Sequence, residues 1–186
     1  MKKKYIFFLT VLAMISCNQT EKTTNIRYVD NKEVIPVTPK DKFTLVSDDF
    51  ENGKLIPAEF SCDGKNIPPS LRWSNVPEGT KSFVLTVKDP DAPFGTFTHW
   101  IVINIPQSIR EIKKDEINSF GYTQLKNDFG NIGYGGPCPP SGTHRYVFTL
   151  YAIDIEKLDA NPKNIDRIID EHTISKAEII GLYKRR

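Results

Sequence analysis

The segment that most constrains the fold is His144-Arg145-Tyr146-Val147-Phe148-Thr149-Leu150-Tyr151-Ala152-Ile153. From Tyr146 on it is apolar or aromatic at nearly every position, and so on both faces that a strand presents. A segment of this kind belongs in the middle of a sheet covered on both sides. His99-Trp100-Ile101-Val102-Ile103-Asn104-Ile105 reads the same way through Ile103, and Phe83-Val84-Leu85-Thr86-Val87 is rich in β-branched residues. Phe43-Thr44-Leu45-Val46 is a shorter candidate strand. The 13 prolines, many of them clustered, favour loops of fixed shape over long helices. Helix signals are few. Asn161-Pro162 reads as N-cap and N1 of a short helix with Ile165, Ile168, Ile169 and His172 on one face. Ala177–Tyr183 reads as a last strand or turn. With no internal repeat, the expected fold is mainly β: an antiparallel β-sandwich with a few short helices.

The N-terminus reads as an address. Lys2, Lys3 and Lys4 form a positive region, Tyr5–Ile15 is mostly apolar, and Ser16 precedes Cys17. That order is a signal peptide, too short for a comfortable membrane span. Met14-Ile15-Ser16-Cys17 resembles a bacterial lipobox, which makes residues 1–16 a leader and Cys17 the lipidated first residue of an exported, membrane-anchored chain. Asn18 after the cysteine fits an outer membrane, where the cell has one. Residues 17–41 are polar and low in large apolar side chains, and read as a flexible tether. Val34-Ile35-Pro36-Val37 is the apolar exception, and Pro36 and Pro39 argue against a helix there. Residues 42–186 form the expected domain, large enough to bury a core without metal or dense disulfides.

A net charge of +2, with no basic stripe, zinc-knuckle spacing or RNA-binding aromatic signature, sets nucleic acid aside. Chemistry concentrates in two segments. Asp89-Pro90-Asp91-Ala92-Pro93 is followed after a short loop by His99-Trp100, and Gly133-Tyr134-Gly135-Gly136-Pro137-Cys138-Pro139-Pro140-Ser141-Gly142-Thr143 leads into His144-Arg145-Tyr146. Asp89 ends one predicted strand, and His99 and His144 begin two others. The aspartates and histidines are therefore expected to converge on one rim, beside glycine-exposed N–H groups. Arg145 is expected to brace these loops through a carboxylate. No ligand pair has a tight metal-binding spacing, and no metal or other cofactor is expected.

These two segments resemble the two signature regions of the phosphatidylethanolamine-binding protein family. Phe60–Trp73 and Ala177–Tyr183 are similar to its bacterial, Raf-kinase-inhibitor-like branch. The resemblance spans about residues 42–186 and implies a β-sandwich of antiparallel sheets with a small pocket for phosphate-type anions or phospholipid head groups. It implies Asp89, Asp91, Pro93, His99 and Trp100 as pocket residues from the first signature. From the second it implies Gly136, His144 and Tyr146, with the backbone N–H of Cys138 facing the ligand. Physically, backbone N–H groups and a histidine would hold a phosphate, while carboxylates are awkward beside an anion: the aspartates are expected to accept from a protonated phosphate oxygen, to orient the histidines or to meet an ethanolamine ammonium, so singly charged or zwitterionic esters are expected over a fully ionised phosphate.

Cys62 and Cys138 remain once Cys17 is lipidated. In an oxidising compartment they form one disulfide or persist as two buried thiols. Three functions are weighed. The leading one is a lipid-anchored binding module without catalysis. The alternative is an inhibitor of a protein kinase or protease acting through the pocket rim. The third is a hydrolase with Ser141, His144 and Asp89 as a triad, which lacks a nucleophile-elbow motif.

Overall fold

The computed structural model describes residues 26–29, 33–36, 42–114 and 121–185. The expected leader and Cys17 lie outside the described residues. The chain divides into two compact units, residues 1–39 and 40–186. In the first, β1 (Ile26–Val29) and β2 (Glu33–Pro36) pair antiparallel, with Ile26 opposite Pro36 and Val29 opposite Glu33. This strand pair falls inside the segment read as a tether. Pro36 sits at the strand end, where a missing N–H costs little.

The second unit contains β3 (Thr44–Ser47), β4 (Lys54–Leu55), β5 (Leu71–Ser74), β6 (Ser82–Asp89), β7 (Phe97–Pro106), β8 (Glu111–Ile112), β9 (Thr123–Gln124), β10 (Thr143–Ile153), α1 (Ile165–His172) and β11 (Thr173–Lys184). They build a six-stranded sheet in the order β4-β11-β10-β6-β7-β9 and a three-stranded sheet in the order β3-β5-β8. The pairs are antiparallel except β4 with β11, which is parallel. This is the expected mainly β sandwich. β10 lies between β11 and β6, in the interior of the sheet, as its two apolar faces require.

Alternation sorts the side chains into two cores. Phe83, Leu85 and Val87 of β6, Trp100 and Val102 of β7, and Tyr146, Phe148 and Leu150 of β10 point into the space between the sheets. Leu45, Leu71, Trp73 and Ile112 meet them from the small sheet, with Trp73 edge-on to Phe83 at 5.5 Å. On the other face Val84, Ile101, Ile103 and Ile153 pack against Leu158 and against Ile165 and Ile169 of α1. Burying each such side chain stabilises the fold by roughly 1.5–3 kcal/mol.

Three local features differ from the sequence reading. The helix begins at Ile165, because Asn161-Pro162 instead forms a turn: the Asn161 side chain accepts from the Lys163 N–H at 2.9 Å and Asn164 occupies the N-cap. The final strand runs for 12 residues from Thr173, since almost all of β10 needs a backbone partner. The third is a bulge in β7. Leu85 faces Val102 and Phe83 faces Ile105, so β7 carries an extra residue there. Asn104 absorbs it with φ 60°, a conformation Asn tolerates better than most residues. The inserted residue flips the alternation, which is how Ile105 joins Trp100 and Val102 in the inter-sheet core. The Asn104 amide also clasps the backbone of Leu158, accepting its N–H at 2.6 Å and donating to its carbonyl at 3.2 Å.

Candidate ligand-binding site

A cavity of about 410 Å³ opens where β6 ends and β7 and β10 begin. Asp89, His99 and His144 supply its polar wall, and Pro93, Phe97 and Phe129 much of its apolar wall. Cys138 also lines it. A depression of about 500 Å³ beside Leu55, Pro57 and Tyr183 contains no histidine and only Asp63 and Lys184 as charges, so the smaller cavity holds the convergent chemistry.

Asp89 and His144 are held on neighbouring strands, β6 and β10, and both are buried. His144 Nδ1 lies 2.7 Å from Asp89 Oδ2. A carboxylate oxygen accepts, so Nδ1 carries the proton and Nε2 is the nitrogen left for a ligand. The other Asp89 oxygen accepts the Asp91 N–H at 2.8 Å. Asp89 therefore orients His144 and pins the loop that follows it.

His99 reaches the cavity through a second bulge. Val87 pairs with Trp100 and Lys88 with Thr98, which leaves His99 as the unpaired extra residue of β7. Its backbone and ring are tied to the second signature: the Gly135 N–H donates to His99 O at 2.9 Å, and His99 Nδ1 lies 2.6 Å from Gly135 O. A carbonyl only accepts, so Nδ1 is again the protonated nitrogen. Burial lowers the pKa of His99, with the Gly135 carbonyl opposing, so near neutral pH its Nε2 is an acceptor. Two imidazoles are thus fixed by their Nδ1 atoms, each presenting Nε2.

The remaining implied residues support this wall. Asp91 does not line the cavity. Its carboxylate binds Arg145 in bidentate fashion, at 2.9 and 2.6 Å, and also accepts the Arg145 N–H. The Arg145 guanidinium holds the Asp91 carboxyl down to about 2. Trp100, one residue past the bulge, points into the inter-sheet core and donates to Gln124 Oε1 at 2.8 Å. Gly136 is buried under the wall. Its N–H donates to Asn66 Oδ1 at 2.7 Å, and a Cβ there would run into the carbonyl of Phe60. Tyr146 lies edge-on to His99 at 5.0 Å. Its hydroxyl is buried beside Asp89 and the Cys138 backbone without a partner at full hydrogen-bond geometry, and burial pushes its pKa up. Cys62 and Cys138 form a disulfide, which fastens the pocket loop to the segment after the 3₁₀ turn Ala58–Phe60. Ser141 is exposed and makes no hydrogen bond to His144, so it does not extend the Asp89–His144 pair.

Sequence reasoning missed the turn that closes the cavity's far side. Asn127 is buried there, donating to Gly133 O at 2.9 Å and accepting the Asn131 N–H at 3.1 Å. Asp128 accepts the Thr98 N–H at 2.6 Å, and Phe129 stands edge-on to Phe97 at 4.7 Å and His99 at 5.3 Å. The signal was the turn composition Asn127-Asp128-Phe129-Gly130. Among the described residues no group of three or more His, Cys, Asp or Glu side chains could hold a metal ion.

Residues 46–184 match the family model described as phosphatidylethanolamine-binding protein. A UPF0098 protein of Aquifex aeolicus is 49% identical over 152 residues, covering 76% of this chain and 88% of that protein. The UPF0098 protein YbcL of Escherichia coli is 38% identical over 160 residues, covering 76% and 87%. The crystal structure of E. coli YbcL, described as a new member of the mammalian PEBP family, superposes with a TM-score of 0.74 at 35% identity. It covers 77% of this chain and 99% of that one. A homologue from Chlamydia trachomatis superposes at 0.72 with 36% identity, covering 78% and 99%.

Proposed function

The chain belongs to the phosphatidylethanolamine-binding protein family, and from that premise we propose that it is an exported, lipid-anchored binding protein whose pocket takes a phosphate or phospholipid head-group ligand without turning it over. The observation that carries the reading is the pair of histidines, each tied through Nδ1, that present Nε2 to one cavity. A singly protonated phosphate suits such a wall. Its O–H donates to His99 Nε2, its other oxygens accept from neighbouring N–H donors, and the buried Tyr146 hydroxyl is a further donor beneath. The wall suits a fully ionised phosphate poorly, because Asp89 adds a carboxylate and Arg145, the nearest arginine in sequence, is consumed by Asp91.

Anchoring rests on the leader and on Cys17, where acyl chains contribute about 0.8 kcal/mol per buried methylene. Among the described residues no helix is long and apolar enough to cross a membrane. A second reading, inhibition of a protein kinase or protease through the rim, draws on Phe94, which is fully exposed at the pocket mouth.

The test is a heteronuclear NMR titration of the chain with inorganic phosphate and phosphoethanolamine, with His99→Ala and His144→Ala as controls. Saturable shifts centred on His99, His144 and Cys138, lost in both variants, are expected. An absence of shifts up to millimolar ligand would refute the head-group reading and move the weight to a protein target at the rim.

A further inference from the structure

The two ends of β6 carry different chemistry. Asp89 pairs with Phe97 at the pocket end, and Ser82 pairs with Pro106 at the other. β6 has eight residues, so these ends stand about 23 Å apart. Past the Ser82–Pro106 end lies a cleft of about 410 Å³, lined by Arg72, Trp73, Ser108, Ile109, Arg110 and Glu111. None of these residues lines the histidine pocket.

The charges in the cleft leave one cation over. Arg72 is spent on Asp48, whose carboxylate accepts from its Nε and Nη2. Glu111 is paired with Lys113 at 3.4 Å. Arg110 has no carboxylate partner among the described residues. Its Nη1 donates to the carbonyls of Gln107 and Ile109, the latter at 2.8 Å. Its guanidinium also lies over the buried Phe83 ring, 5.9 Å from the centroid. These contacts station the guanidinium and leave Nε and Nη2 without an acceptor among the described residues. Two free donors in one plane are the fork that a carboxylate fits. The Ser108 hydroxyl, exposed in the same cleft, is uncommitted too.

Trp73 is the aromatic member of the lining. It is 4% exposed, and its indole N–H has no hydrogen-bond partner among the described residues, an uncommon state for a buried donor. The chain has one other tryptophan, Trp100, whose indole N–H donates to Gln124 Oε1 at 2.8 Å.

We propose that this cleft is a second ligand site, distinct from the histidine pocket, for a small organic monocarboxylate. The carboxylate accepts from the Nε–Nη2 fork of Arg110 and from the Ser108 hydroxyl, and the apolar body of the ligand lies against Ile109 and Trp73. A single negative charge suits the cleft, because Arg110 is the one cation of its lining not answered by a carboxylate and Glu111 opposes a second negative charge.

The test is a heteronuclear NMR titration of the full chain in detergent micelles with isovalerate and with isovaleramide, its neutral counterpart of the same shape. Isovalerate is expected to shift the Trp73 indole N–H and the Arg110 Nε–H saturably, and the amide to bind on the order of tenfold more weakly. Arg110→Gln is expected to weaken isovalerate by about the same factor, and Arg110→Lys, which keeps the charge without the fork, to recover only part of it. An unmoved Trp100 indole resonance reports that both variants keep the sandwich. Equal binding of acid and amide, isovalerate binding that survives Arg110→Gln, or shifts centred on His99 and Cys138 instead would overturn the site. Inorganic phosphate binding there more tightly than isovalerate would overturn the carboxylate class. N-acetylleucine separates two sources of the same chemistry: tighter binding than isovalerate assigns a peptide C-terminus, weaker binding a free small acid.

Discussion

Replacing both Cys62 and Cys138 by serine isolates the energetic role of the disulfide beside the pocket. The bridge joins residues 76 apart in sequence, so it closes a loop covering about half of the folded unit. Loop-closure entropy for that length is roughly 15 cal/mol/K, or about 4.5 kcal/mol at 25 °C. Cys62 is exposed and Cys138 half-buried, so serine adds only a small cavity cost. A domain of this size shifts by about 2–4 °C per kcal/mol, and the double variant should melt roughly 10–15 °C lower. The assay is urea unfolding of the oxidised protein, the reduced protein and the variant. Reduced protein and variant should coincide, and both should show a steeper denaturant dependence than the oxidised protein, because their unfolded chains expand further. A loss under about 1 kcal/mol with unchanged slope would refute the loop-entropy reasoning.

Other perturbations probe separate parts of the structure. Asn104→Ala should cost about 2–3 kcal/mol in urea unfolding, by removing the Leu158 clasp and imposing positive φ on alanine. Asn104→Gly should recover the part due to φ, and equal losses in the two variants would refute the bulge argument. The Asp91 carboxyl, held at about 2 by Arg145, is depressed below its unfolded value of about 3.9. Its stabilisation is therefore present above about pH 4 and lost as pH falls toward 2. The full shift corresponds to roughly 2.5 kcal/mol, reduced by solvent screening of the partly exposed pair to about 1 kcal/mol, and Asp91→Asn should flatten that limb of the acid-unfolding curve. His99, with its pKa lowered by burial, stabilises the fold above its unfolded value of about 6.5 and loses that contribution as pH falls. Nitrogen NMR at neutral pH should show its Nδ1-protonated tautomer, and an Nε2–H signal would contradict the hydrogen-bond assignment. Cys17→Ser should release the chain from the membrane fraction, and a variant that still sediments with membranes would exclude lipid at Cys17 as the anchor.

The legible parts of the fold were those set by period and composition. β6, β7 and β10 announced themselves because a strand buried on both faces must be apolar throughout, and all three lie inside the six-stranded sheet. β5 did not, since Leu71-Arg72-Trp73-Ser74 is short and half-polar, and becomes a strand only by lying between β3 and β8. The helix start was misplaced because Asn-Pro serves a turn as readily as a helix cap. At the site, the two signature segments marked where the polar groups would gather. They did not separate Asp89, which holds His144 in the wall, from Asp91, which holds Arg145 outside it.

By itself the sequence determined which residues are apolar, where the chain turns, and which titratable groups stand at strand ends. These follow from local chemistry: side-chain polarity, proline and glycine geometry, and the two-residue period of a strand. Only the tertiary structure decided where the side chains beside the bulges point, because a bulge depends on how two strands align and not on either strand alone. His99 faces the pocket and Trp100 the core for that reason, and Ile105 follows from Asn104 in the same way. Asp128 and Phe129 reach the pocket through long-range contacts, among them the bond from the Thr98 N–H, 30 residues earlier in the chain, to the Asp128 carboxylate. No local pattern encodes a contact at that range.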